Sequence, residues 1–229
     1  MVAMYQFDRS RAVEDQAVAA SQAFVAFLSD LIDERRADPR DDLISTLIEA
    51  EAGGDRLSRD ELISTAILLL NAGHEATVHA IGNGVAALLS HELAPGELFS
   101  DAASKSATIE ELLRFDTPLH MFTRFALEPV EIAGHRLKVG DRVGLLLGAA
   151  NRDPARFSKP DVLDVQRIDP GNVSFGGGIH FCIGAPLARL ELELALPILF
   201  GRRPDLRLAD QPVFANRYHF RGLERLLLA

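Results

Sequence analysis

Residues 61–89 carry a helical pattern unusually long for a globular protein, and it limits what the chain can fold into. The pattern opens on Ser58-Arg59-Asp60-Glu61, where serine and glutamate three residues apart can cap each other's backbone amides. Other helices surround it. Ala12 to Arg36 sets Phe24, Phe27, Leu28, Leu31 and Ile32 at helical spacing, and Asp38-Pro39-Arg40-Asp41 breaks it. A shorter helix, Leu43 to Ala50, stops at Gly53-Gly54. Pro95-Gly96 interrupts the chain, and a helix over Thr108 to Phe115 ends before Thr117-Pro118. From Arg124 to Leu147 the texture changes. Val130-Glu131-Ile132 and Val143-Gly144-Leu145 alternate, with Gly134-His135 and Gly140-Asp141 as turns, which predicts a small β region. Asn151-Arg152-Asp153-Pro154 and Asp169-Pro170-Gly171 mark loops. The last long helix runs from Ala185 to Phe200, where Pro197 is expected to end or bend it, and the tail reads as strand and turn. The expected fold is mainly α with a small β region.

Composition narrows the function classes. Hydrophobic residues make up 48% of 229, enough for a real core, and the length suits one domain with room for a small second lobe. A net charge of −9 argues against nucleic acid as the main partner. The single cysteine excludes an internal disulfide and suits a reducing compartment such as the cytoplasm. Met1 to Asp8 lacks the basic and apolar regions of a signal peptide. No apolar run approaches the roughly 20 residues of a spanning helix, which argues against a membrane protein.

That cysteine, Cys182, sits in Phe175-Gly176-Gly177-Gly178-Ile179-His180-Phe181-Cys182-Ile183-Gly184, just before the Ala185 helix. A helix N-terminus favours negative charge on a nearby sulfur. A thiolate there can ligate a soft or borderline metal. The glycines let backbone lie close against something flat. A lone cysteine is most often a small buried hydrophobe, so the loop context carries the weight. Nucleotide motifs fail here: no glycine follows at the Phe181 position, and no lysine follows Gly184.

Phe-x-x-Gly-x-His-x-Cys-x-Gly, followed by Gly-x-x-Leu-Ala-Arg-Leu-Glu from Gly184 to Glu191, resembles the haem-binding loop of the cytochrome P-450 family, the haem-thiolate monooxygenases. The resemblance implies haem b (iron protoporphyrin IX) with Cys182 as its axial ligand, and Phe175 packed beside the sulfur. The resemblance also implies haem contacts for Gly178 and Gly184 of the same loop, and for Ala72 and Gly73 of the long helix. Arg124 and His180 would meet the haem propionates, although each residue read alone is an ordinary solvated or turn side chain. Glu111 and Arg114, at i and i+3, resemble the family's charged pair, and Arg167 the arginine that completes it. Their implied role is structural, locking the loop that carries the cysteine.

Within the long helix, Ala72-Gly73-His74-Glu75 resembles the family's oxygen-binding helix. A glycine in a helix interior costs about 1 kcal/mol, so a buried Gly73 implies distortion, a ligand or a close helix neighbour. Glu75 takes the place of the proton-relaying acid. The usual threonine position holds Ala76, and Thr77 lies one residue late, about 100° round the helix. A water or substrate hydroxyl is expected to fill that gap. The zinc-protease motif His-Glu-x-x-His fails, because His79 is at i+5 from His74.

The resemblance runs from about Phe7 to Arg221-Gly222-Leu223, in the order of the family's C-terminal half; members are nearly twice as long. It implies loss of the substrate-gating loops and apolar surface bared along the 61–89 helix. His180, where membrane-bound relatives carry arginine, is similar to soluble bacterial members. The implied activity is oxygen insertion into a small apolar organic substrate, with electrons from a ferredoxin or flavoprotein. Substrate contacts are expected around Ala72, Gly73 and Leu119 to Phe122. Two alternatives stay open: a non-catalytic haem-binding fragment that needs a missing N-terminal half, and a nucleophilic enzyme using Cys182 with His180.

Overall fold

The computed structural model describes residues 9–52, 57–167, 171–217 and 219–229. The Met1–Asp8 start, the Phe7 limit of the resemblance, the Gly53-Gly54 stop and Asp169-Pro170 lie outside the described residues. Among the described residues the fold is mainly helical with three two-stranded antiparallel ladders. The chain divides into two compact units, residues 1–75 and 76–229, each with its own core.

The first unit holds α1 (Arg11–Ala37), α2 (Leu43–Ala52) and the start of α3 (Arg59–Ser90). Leu28 and Ile32 of α1 are buried with Leu62 and Ile63 of α3, and Phe24 and Leu31 pack beside them. Phe27, expected on the same face, is instead exposed and stacks on Phe24. One residue before Leu28 is a step of about 100°, which takes Phe27 off the apolar stripe. The predicted capping box is present: Ser58 donates its backbone N–H to Glu61 at 2.7 Å, and the Glu61 amide donates to Ser58 Oγ at 3.3 Å. Arg59 grips both Asp33 carboxylate oxygens and the Ser29 carbonyl, tying the start of α3 to α1.

In the second unit, the end of α3, α5 (Ala102–Phe115) and α7 (Ala185–Arg202) share a core of Leu88, Ile109, Leu112, Leu113, Leu192, Leu196 and Phe200. Gly84 allows the three helices to approach: a Cβ there would touch Leu112 at 3.4 Å and Leu196 at 3.6 Å. Helix α5 begins six residues before the expected Thr108, because Asp101 caps it by accepting from the Ala103 and Ser104 amides. Pro95 does not merely stop the chain. It occupies the first turn of the short helix α4 (Pro95–Leu98), where its missing N–H costs nothing. Pro197 does not end the last helix either. Helix α7 continues to Arg202, held by the burial of Leu192, Leu196 and Phe200.

The β region matches its expected place. Strand β1 (Met121–Phe125) pairs with β4 (Arg142–Leu146), and β2 (Val130–Ile132) with β3 (His135–Leu137). A short helix, α6 (Leu147–Ala150), follows β4, and β5 (Val213–Phe214) pairs with β6 (Leu223–Arg225) in the tail. No helix among the described residues is long and apolar enough to cross a membrane.

Candidate functional site

Cys182 is exposed, and the loop around it is fixed by backbone bonds at both ends. Its N–H donates to the Phe175 carbonyl at 3.0 Å, and its own carbonyl accepts from Ala185 at 3.2 Å as α7 begins. Between them the chain makes one 3-10 turn, Gly178–His180. Gly176 (φ 73°) and Gly178 (φ 62°) take left-handed conformations that a side chain would strain. Gly184 precedes the first turn of α7 and brings no side-chain cap, so the amides there are not spent on a neighbouring oxygen of that residue. A Cβ on Gly184 would stand 3.8 Å from the Cys182 sulfur. Ile179, Phe181 and Ile183 flank the cysteine and are exposed, Ile179 to 97% and Ile183 to 87%.

Glu111 and Arg114 of the charged cluster are buried, and Arg167 joins them half-buried. Glu111 accepts from Arg114 Nε at 2.7 Å, Arg114 Nη2 at 2.8 Å and Arg167 Nε at 3.1 Å. It also accepts the Asp164 amide at 2.8 Å. Arg114 spends its remaining N–H groups on the Asn151, Pro160 and Val162 carbonyls, and Arg167 on those of Ser158, Lys159 and Val162. These carbonyls belong to residues 151–162, so the cluster locks the segment before the cysteine loop rather than the loop itself. Asn151 carries the connection forward. Its side-chain oxygen accepts the Val173 amide, and its nitrogen donates to Thr117 Oγ1 and Ser174 Oγ. Asn151, Thr117 and Ser174 are all buried; the sequence marks Asn151 only as a loop residue and Thr117 only as a helix stop, and does not single out Ser174.

A second set of contacts was also missed. Glu110, next to Glu111, pairs with Arg189 of α7 through both carboxylate oxygens and accepts from Asn172 at 3.0 Å. The Arg189 guanidinium lies 4.5 Å from the centre of the Phe175 ring, which in turn meets Phe181 at 6.4 Å. The only sequence signal for this set was the Leu-Ala-Arg-Leu-Glu stretch of α7.

The remaining predicted residues are placed as follows. Arg124 lies on β1 opposite Val143, donates to the Thr123 carbonyl and sits 5.7 Å from the Phe122 ring centre. His180 is exposed at the end of the 3-10 turn, and no hydrogen bond joins its ring to Cys182. Ala72 and Gly73 are exposed on α3, whereas Glu75, Ala76 and Thr77 are half-buried. Gly73 was expected to be buried, but a Cβ there would meet open space, and α3 passes through it without interruption. Exposed apolar side chains do stand on α3, at Leu68, Leu70 and Val78. A further row, Leu187, Leu190, Leu194 and Ile198, stands on α7, where none was anticipated.

Comparison with known proteins bears on this arrangement. The sequence pattern of the family Cytochrome P450 matches residues 105–202, from α5 through the cysteine loop to the end of α7. The chain is 45% identical over 217 residues to the Vitamin D(3) 25-hydroxylase of Pseudonocardia autotrophica, covering 93% of this chain and 54% of that protein. The crystal structure of P450BioI with an acyl carrier protein ligated to hexadec-9Z-enoic acid superposes with a TM-score of 0.93 at 39% identity. That superposition covers 100% of this chain and 59% of that one. The chain belongs to the cytochrome P450 family. The P450 PksS of Bacillus subtilis 168 superposes with a TM-score of 0.91 at 39% identity, over 99% of this chain and 60% of that one. The chain thus spans about half the length of the P450 relatives it matches, and the half is the one carrying the cysteine loop.

Members of this family bind haem through a cysteine thiolate. The residues present suit that group. Cys182 offers an accessible sulfur, Ile179, Phe181 and Ile183 offer apolar surface beside it, and Arg124 and His180 are donors of the kind carboxylates accept.

Proposed function

We propose that the chain is the haem-binding part of a haem-thiolate monooxygenase that inserts one oxygen atom from O2 into a small apolar organic substrate. The carrying observation is Cys182 itself: an exposed thiol on a loop pinned at both ends, directly before a helix N-terminus. Haem held by Cys182 would supply the oxygen chemistry, with a ferredoxin or flavoprotein as electron donor. The protein's own residues orient and insulate. Phe175 fixes the Cys182 amide through its carbonyl. Arg124 and His180 pair with the propionates. Glu75 delivers protons along α3, and Ala76 leaves the adjacent hydroxyl to a water or to the substrate. Ala72, Gly73 and the residues from Leu119 to Phe122 contact the substrate. A single cysteine suits a reducing compartment, and we place the protein in the cytoplasm.

A second reading is favoured by the apolar rows on α3 and α7 together with the half-length coverage. In it, the chain binds haem but is non-catalytic without a polypeptide that supplies the rest of the relatives' length. Adding haem, reducing and exposing to carbon monoxide separates the readings. A thiolate-type Soret band with substrate turnover supports the first, a thiolate band without turnover the second. Thiol-sensitive hydrolysis without haem uptake would return the nucleophilic use of Cys182.

A further inference from the structure

Two adjacent acids on α5 divide the anchoring of this site, and only one of them reaches the cysteine loop. Glu111 holds residues 151–164 through Arg114, Arg167 and the Asp164 amide. Glu110 holds both flanks of the loop. On the incoming side it accepts from Asn172, whose own side-chain oxygen accepts the Ser174 amide at 3.1 Å. On the outgoing side it pairs with Arg189, which lies over the Phe175 ring. Phe175 stands seven residues before Cys182 (182 − 175) and Arg189 seven after (189 − 182). The loop is therefore a closed bight whose two ends meet at one carboxylate, with the Phe175 carbonyl holding the Cys182 amide inside it.

We propose that Glu110 and Arg189 are positioning residues for Cys182: they fix Phe175, and through its carbonyl the direction in which the sulfur points. A guanidinium fork on a carboxylate sets geometry as well as charge, and the same cation on an aromatic face holds the ring against rotation. Both side chains are partly shielded, Glu110 to 19% exposure and Arg189 to 34%. The proposal rests on the haem-thiolate reading for its purpose, but not for its first test.

That test is amide hydrogen exchange on the whole chain without added haem, comparing wild type with Glu110→Ala and Arg189→Ala. Exchange at Cys182 should rise roughly tenfold in both variants, with Ser174 rising in Glu110→Ala, while the Asp164 amide held by Glu111 is unchanged. Unchanged protection at Cys182 overturns the clamp, as does an equal rise at Asp164, which would mean general loosening. After haem loading and reduction under carbon monoxide, both variants should lose part of the thiolate-type Soret band to the neutral-thiol type. If wild type shows that band and both variants keep it whole, the positioning role is wrong while the haem reading stands. If wild type shows no such band, the haem reading falls, and the exchange result still decides the clamp.

Discussion

Replacing Glu111 with alanine removes the acceptor of both Arg114 bonds, of the Arg167 Nε–H and of the Asp164 amide. Arg114 is only 2% exposed, so its charge would be left in the interior without a counter-ion. Breaking a buried pair from one side costs about 3–5 kcal/mol. Three main-chain carbonyls, of Asn151, Pro160 and Val162, would still solvate the guanidinium, which pulls the figure toward the lower end. The orphaned Asp164 amide adds about 1–3 kcal/mol, so the sum stays within that range or slightly above it. Since small domains are stable by about 5–15 kcal/mol, Glu111→Ala should unfold much of the second unit and abolish haem incorporation. Urea denaturation followed by circular dichroism reads the loss, and a haem titration reads the consequence. Arg167→Ala should cost less, about 1–3 kcal/mol, because Glu111 keeps Arg114. The double variant Glu111→Ala with Arg114→Met should be more stable than Glu111→Ala alone, since no charge is left buried. A Glu111→Ala protein that loses less than about 1 kcal/mol and takes up haem with an unaltered spectrum would refute this reasoning.

Further outcomes are expected elsewhere in the chain. Ala76→Thr should raise the fraction of reducing equivalents that reach product; unchanged coupling with the true substrate removes the gap-filling role given to water or a substrate hydroxyl. Asp42, hydrogen-bonded by Arg35 at 2.5 Å and by the Ser45 amide, has its carboxyl lowered to about 2. Its contribution to stability is thus complete above the ordinary aspartate value of about 3.9 and is lost as pH falls through about 2. An NMR titration of Asp42 with a midpoint near 4 would contradict that. Burial, reinforced by Arg221, lowers His120 below its usual 6.5, so stability should erode as pH drops through that value; a His120 ring signal titrating above 6.5 would reverse the sign. Gly222→Ala should destabilise by about 1–3 kcal/mol, because a Cβ there collides with the His79 imidazole. Thermal denaturation within a degree of wild type would show that the ring yields freely.

Elements with strong local signals were legible before the structure. Helices α1, α2 and α3 lie within two residues of the expected spans, because apolar spacing, the Ser58–Glu61 box and the Asp38-Pro39 break each act over a few neighbouring residues. Where burial decided, local rules misled. Pro197 reads as a breaker, but Leu192, Leu196 and Phe200 carry α7 past it. The cysteine motif and the Glu111–Arg114 pair were visible as residue types at fixed offsets. Their supports were not, since Glu110 meets Arg189 across 79 residues and Asn151 meets Ser174 across 23. Glu110 and Asn151 look like any surface glutamate and any turn asparagine until the chain folds.

One substitution tests the account most directly. Wild type and Cys182→Ser, each mixed with haem, reduced and exposed to carbon monoxide, should part company. Wild type should show the Soret position of a sulfur-ligated iron, and the serine variant should either fail to keep the pigment or show a different band. Identical uptake and identical spectra from the two proteins would contradict the assignment of that sulfur as the iron ligand.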